Sequence, residues 1–156
     1  MIEFPDVNVL LALHVAAHQF HTAAATWLAQ VEAFATTPIT EAGLVRLLLQ
    51  PRFTGSELSA TEALGILRRL KAQPHTAFIP DASALDTSHF SYALTGPKQV
   101  TDIHLLDLAR SRGGRLVTFD AKITAALKPR DRKHIRVLAQ ERSRAFLDKG
   151  TKTSRC

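Results

Sequence analysis

Four acidic side chains stand where they could act together on a metal ion: Asp6, Glu41, Asp102 and Asp120. Asp6 follows the short apolar run MIEF and Asp120 follows LVTF, so both read as acids at the carboxyl end of a buried strand. Glu41 and Asp102 come directly after Thr40 and Thr101, at the expected starts of helices. In an open α/β sheet the functional crevice lies past the carboxyl ends of the strands, and all four acids fall near such ends. Each alone also reads as a helix cap, a turn former or a first-turn acid, favoured by the positive end of the helix dipole. As a group they carry more. Carboxylates gathered at one sheet edge repel each other, and a divalent cation relieves that repulsion. Hard oxygen donors suit Mg²⁺ or Mn²⁺ rather than Zn²⁺. Such a centre performs metal-assisted hydrolysis of a phosphodiester.

The elements that must position these acids alternate between strand and helix. Residues 1–4 read as a strand ending at Pro5-Asp6, and residues 7–15 as a helix. Residues 21–35 form a second helix, with Ala24, Trp27, Leu28, Val31 and Phe34 at helical spacing. A strand edge follows over residues 34–38. Thr40 is the expected N-cap of EAGLVRLLL, which ends before Pro51. Residues 52–58 read as a loop, and Ser59 with Glu62 forms a capping box for the next helix. A strand over residues 76–79, a helix over residues 82–94 and a break at residues 95–97 come next. Thr101 is expected to cap DIHLLDLARSRG, which Gly113-Gly114 terminates. A strand over residues 116–119, a helix over residues 121–127 and a strand over residues 134–138 complete the chain. The reading is α/β: one domain, with a central, mostly parallel sheet flanked by helices on both faces.

Composition narrows the function. The chain of 156 residues suits one domain with a proper core. No apolar run approaches a membrane span. The start lacks a basic segment ahead of its apolar stretch, unlike a signal peptide. The single cysteine, Cys156, excludes a disulfide or cysteine-metal framework within the chain. Cytoplasmic residence is the expectation. The net charge of +6 is concentrated late: residues 128–156 hold ten Lys or Arg against three acids. That asymmetry favours contact with a polyanion. The organisation is read as a nuclease-like domain over residues 1–138 and a basic tail over residues 139–156.

Four segments in order then point to a family. DVNVLLAL after a short strand, TE-x-G-x-x-R, VTD-x-x-L-x-x-LA and G-x-L-x-TFD resemble the PIN-domain nucleases, and together most resemble the VapC toxins of bacterial type II toxin–antitoxin systems. The resemblance spans roughly residues 2 to 138. It implies that Asp6, Glu41, Asp102 and Asp120 bind the metal, with polar support from Asn8 and Thr118. It implies an endoribonuclease using Mg²⁺ or Mn²⁺ that leaves a 5′-phosphate and a 3′-hydroxyl, an antitoxin that blocks it, and a homodimer. Arg46, Arg52, Lys98 and Arg115 are candidates to hold RNA phosphates, contacts that give affinity without sequence specificity. Phe53, Phe90 and Tyr92 are the aromatic side chains considered for base recognition, with core packing favoured for Phe90.

Several residues have plainer readings. His14, His18 and His21 have metal-like spacing but read better as a solvated helix face, and His104 neighbours Asp102 as a further RNA contact. Asp81, Asp86 and Asp107 lie outside the pattern, and Asp107 is expected to face solvent. Leu44, Leu47, Leu48, Leu64 and Leu67 exceed what one core face needs, which marks their two helices for an antitoxin. Three alternatives remain beside the toxin: a PIN-like nuclease of RNA maturation, a non-catalytic RNA-binding module, and a phosphoacceptor receiver domain. HIRVL lacks the late-strand Lys that a receiver needs.

Overall fold

The computed structural model describes residues 1–139, so the basic tail lies outside the described residues. Five parallel strands form one sheet in the order β3-β2-β1-β4-β5. They are β1 (Glu3–Pro5), β2 (Phe34–Thr36), β3 (Thr76–Phe78), β4 (Arg115–Thr118) and β5 (Ile135–Val137). The helices are α1 (Val7–His14), α2 (His21–Gln30), α3 (Pro38–Leu48), α4 (Pro51–Thr54), α5 (Ala60–Lys71), α6 (Val100–Ser111) and α7 (Ala121–Ala126). From β1 the chain winds outward to β2 and β3, and from β4 it winds the other way to β5. The strand order therefore reverses between β1 and β4, which opens a crevice at their carboxyl ends.

Two larger apolar clusters hold the layers, beside a small one of Phe4, Ala35, Leu108 and Ala109. One joins α1, α2, α3 and α5 around Leu10, Trp27, Phe34, Leu44 and Leu48. The other packs α6 and α7 through Ile103, Leu105, Leu106 and Ile123 against Leu116 and Ile135. Gly43 lets α1 and α3 approach closely, since a Cβ there would stand 2.6 Å from a Val7 methyl. Gly113, at φ +66°, ends α6 in the left-handed conformation that L side chains resist. Glu3 is buried at the opposite edge of the sheet. It accepts hydrogen bonds from Trp27 Nε1, Arg115 and Arg136. Burial pushes the Glu3 carboxyl up, but these donors and charges outweigh it and hold it below the usual range.

Ser59 caps α5 in a reciprocal box with Glu62, as the sequence indicates. Four expectations change. The cap of α3 is Thr37, not Thr40: Pro38 takes the first helical position, and Thr40 closes the box from inside the helix. α6 begins at Val100 with no side-chain cap, so Thr101 lies within its first turn. Residues 82–94 form no α-helix but two 3₁₀ turns, Leu85–Thr87 and Ser91–Ala93. Their hydroxyls compete for backbone partners: Ser88 Oγ accepts from Phe90 N, and Thr87 Oγ1 donates to Ala84 O. Asp107 accepts from Ser83 Oγ and His89 N, so it anchors this segment rather than facing solvent. Two smaller differences follow. α2 stops at Gln30, freeing Phe34 to pair in β2, and the expected loop over residues 52–58 contains α4, closed by Gly55 at φ +78°. No helix among the described residues is long and apolar enough to cross a membrane.

Candidate active site

Parallel pairing of β1 with β4 places Pro5 opposite Val117, so the next step along each strand brings Asp6 level with Thr118. The Asp6 backbone N–H donates to Val117 O at 2.9 Å. Asp6 then caps α1, its Oδ1 accepting from Val9 N at 2.8 Å. Thr118 Oγ1 accepts from the Asp120 N–H at 3.0 Å, and its hydroxyl favours the ionised form of the neighbouring Asp6 carboxyl. Asp120 caps α7, with Oδ1 accepting from Lys122 N at 2.8 Å. Capping and chemistry are thus compatible in both aspartates. Oδ1 of each carboxylate is fixed to a helix start, which aims the group at the cavity it lines. Asp102 arrives from the first turn of α6.

These three aspartates line one cavity of about 690 Å³ with Asn8, Thr118, Arg46 and Lys98. Burial raises the Asp6 carboxyl above its ordinary range, against the hydrogen bonds from Thr118 and Val9. Asp102 is pushed up to about 7, first by burial and then by the charges of Asp6 and Asp120. The aspartates therefore sense one another across the cavity. Among the described residues, no three His, Cys, Asp or Glu side chains close into a ready-made ligand shell.

Glu41 is the acid that does not join them. The side of α3 facing the cavity carries Ile39, Gly43, Arg46 and Leu47. At about 100° per residue, Glu41 stands roughly 200° from Ile39 and from Gly43. It instead pairs with Lys71 Nζ at 2.8 Å and accepts from Thr36 Oγ1 at 2.7 Å. Two of the four basic candidates are also elsewhere. Arg115 opens β4 and binds Glu3 at the far edge of the sheet, while Arg52 lies over the Phe53 ring on exposed α4. Phe90 is fully buried, as expected, and Phe53 and Tyr92 are not among the cavity residues. His104 pairs with Asp81 at 3.4 Å.

Phe20 and Phe119, unassigned in the sequence, line the cavity, and so does His18, which lies half-buried in the turn between α1 and α2 and not on the solvated helix face expected of it. The position of Phe119 beside Asp120 was the one available signal, because the other two come from the distant turn between α1 and α2.

Known proteins agree with this architecture. The PIN domain profile matches residues 4–142. Ribonuclease VapC38 of Mycobacterium tuberculosis is 36% identical over 135 residues, covering 85% of this chain and 95% of its own length. The chain belongs to the VapC family of PIN-domain ribonucleases. Ribonuclease VapC44 of the same organism is 39% identical over 132 residues, with 80% of this chain and 89% of the relative covered. Ribonuclease VapC29 is 40% identical over 117 residues, with 74% and 84% covered. The fold of this PIN domain is also that of Mycobacterium tuberculosis VapC20, a sarcin–ricin loop cleaving toxin. The TM-score is 0.58 at 17% identity, over 80% of this chain and 94% of that one.

Proposed function

We propose that this PIN domain is a divalent-metal-dependent endoribonuclease and the toxin of a toxin–antitoxin pair. The observation that carries the reading is the convergence of Asp6, Asp102 and Asp120 on one cavity at the β1/β4 switch point. Their donor set is all oxygen, which fits Mg²⁺ or Mn²⁺. The raised Asp102 carboxyl fits too, because a bound cation favours the ionised form that burial and its neighbours disfavour.

Asp6, Asp102 and Asp120 would hold the metal, and Asn8 stands beside them as a further oxygen donor. When bound, the cation supplies charge neutralisation at the phosphate and an activated water for hydrolysis. The protein's own part is positioning. Thr118 orients Asp6 and the backbone before Asp120. Arg46 and Lys98 stand at the same cavity to take backbone phosphates. Glu41 acts through Lys71 and Thr36 to set the start of α3 and is not assigned to the metal.

Mn²⁺ titration of thermal stability tests the site. Wild type should gain stability with metal, and Asp6→Asn, Asp102→Asn and Asp120→Asn should each gain less. Equal gains in all four proteins would remove the aspartates from the metal site.

For the partner, we propose a small antitoxin that reaches this anionic cavity with an Arg, whose planar fork can bridge two carboxylates, together with a homodimer of the PIN domain. Leu44 and Leu48 are core residues, so the docking surface reduces to Leu64, which is exposed, and the half-buried Leu47 and Leu67. Co-expression with the upstream reading frame should yield a complex that does not cut RNA. Failure to co-purify, or a complex as active as the free chain, would defeat this assignment.

A further inference from the structure

The cavity is larger than a cation needs. At about 690 Å³ it is in the range of organic-ligand sites, and part of its wall is aromatic. Phe20 and Phe119 stack with centroids 4.4 Å apart and planes 14° from parallel. His18 extends the group, 6.2 Å from Phe119 at 29° and 6.0 Å from Phe20 at 42°. Phe119 packs against the core below, so the stack rests on a fixed base. The Phe20 backbone is tied at both ends: its N–H donates to His18 Nδ1 at 3.2 Å, and its carbonyl accepts from Ala24 N at 2.9 Å. With Nδ1 accepting, a neutral His18 carries its proton on Nε2 and keeps a donor edge. All three rings are half-buried and share the cavity with the three aspartates. Holding a metal requires none of them.

We propose that the Phe20–Phe119 stack, with His18 beside it, is a platform for one unpaired nucleobase of the RNA, held next to the phosphate that is cut. The inference rests on the reading of this cavity as a ribonuclease site and assigns His18, Phe20 and Phe119 to contact with the substrate base. A base inside a duplex has both faces already stacked and must leave the helix to lie on protein aromatics. Stacking tolerates any base, because every base presents a π face. The platform therefore selects for an unpaired nucleotide rather than for a sequence, while Arg46 and Lys98 take the flanking phosphates.

The test compares three RNAs in Mn²⁺: an unstructured strand, the same strand annealed to its complement, and the strand with an abasic ribose beside the mapped cut. Wild type should cut the unpaired strand at least about tenfold faster than the duplex, the scale of one lost stacking contact. Phe20→Leu should lose about tenfold on the intact strand, and Phe20→Tyr should retain full rate. The abasic strand should slow wild type by a similar factor yet leave Phe20→Leu unchanged, because its contact is already gone. A Phe20→Leu protein that cuts at wild-type rate, or an abasic strand that slows both proteins equally, overturns the platform and leaves the nuclease standing. A chain that cuts nothing defeats the nuclease reading alone. In that case metal-free binding of the same strand carrying 2-aminopurine decides the platform. Quenching by wild type and not by Phe20→Leu supports it; absent or equal quenching overturns it.

Discussion

Replacing Asp102 with Asn removes a charge that the fold holds at a disadvantage. Burial, then the charges of Asp6 and Asp120, push this carboxyl from an ordinary 3.8 up to about 7. An acid whose pKa is higher in the fold binds its proton more tightly there. Its contribution to stability therefore falls as pH rises from about 4 to about 7, and stays low above that. A gap of about three pH units corresponds to about 4 kcal/mol. Asp102 is still partly reached by water, so about 2 kcal/mol is the expected gain for Asp102→Asn above pH 7 after screening. For a domain of this length that is about 4–8 °C in Tm. The assay is thermal melting of wild type and variant in EDTA at several pH values from 4.5 to 8. The two proteins should melt close together at the acid end and separate as pH rises, with the variant more stable. Added Mn²⁺ should close or reverse the gap, because wild type binds it more tightly. A difference that does not change with pH, or a variant less stable than wild type in EDTA at pH 8, would refute the electrostatic reasoning.

Other outcomes follow from the same structure. Asp6→Asn should keep the fold, since Asn also caps helices well. It should lose more cleavage than the roughly 10–100-fold typical of an outer-shell change; circular dichroism and initial rates check both halves. Glu41→Gln should leave cleavage and Mn²⁺ stabilisation within a few-fold of wild type, because its side chain faces Lys71 and Thr36; a loss matching that of Asp6→Asn would return Glu41 to the metal. Gly43→Ala should destabilise by about 1–3 kcal/mol through its clash with Val7, read by urea unfolding. Glu3→Gln should cost about 1–3 kcal/mol near neutral pH, because Arg115 and Arg136 lose their charged partner but remain partly reached by water. Because the Glu3 carboxyl is held low, its stabilisation is present above its ordinary 4.5 and fades as pH falls through the lower folded-state value.

Much of this was legible in the sequence because punctuation and period agreed. Ser59 with Glu62, Gly113-Gly114 and the apolar runs ending at Asp6 and Asp120 each specify an element boundary locally. What was not legible depends on phase and on distance. The Thr-Pro pair at residues 37–38 was the better cue to the start of α3, but the face that meets the cavity, through Ile39, Gly43, Arg46 and Leu47, is set by packing rather than by the cap. That helix phase is what separates Glu41 from the three aspartates. Arg115 sits close to Asp120 in sequence but at the other end of the same strand. The aromatic wall joins the α1–α2 turn to the end of β4, a pairing that only the strand order brings about. Residues 82–94 have helical composition at their alanines and leucines, yet their Ser and Thr side chains and the distant Asp107 hold the backbone in tighter turns.

The most direct test is cleavage of a defined RNA by wild type, Asp6→Asn, Asp102→Asn and Asp120→Asn, in Mn²⁺ and in EDTA, with the new ends mapped. The account predicts internal cuts with 5′-phosphate ends for wild type in Mn²⁺ alone, and none for the three variants or in EDTA. Cutting that persists in EDTA, or that survives all three substitutions in folded protein, would contradict a metal centre built from these aspartates.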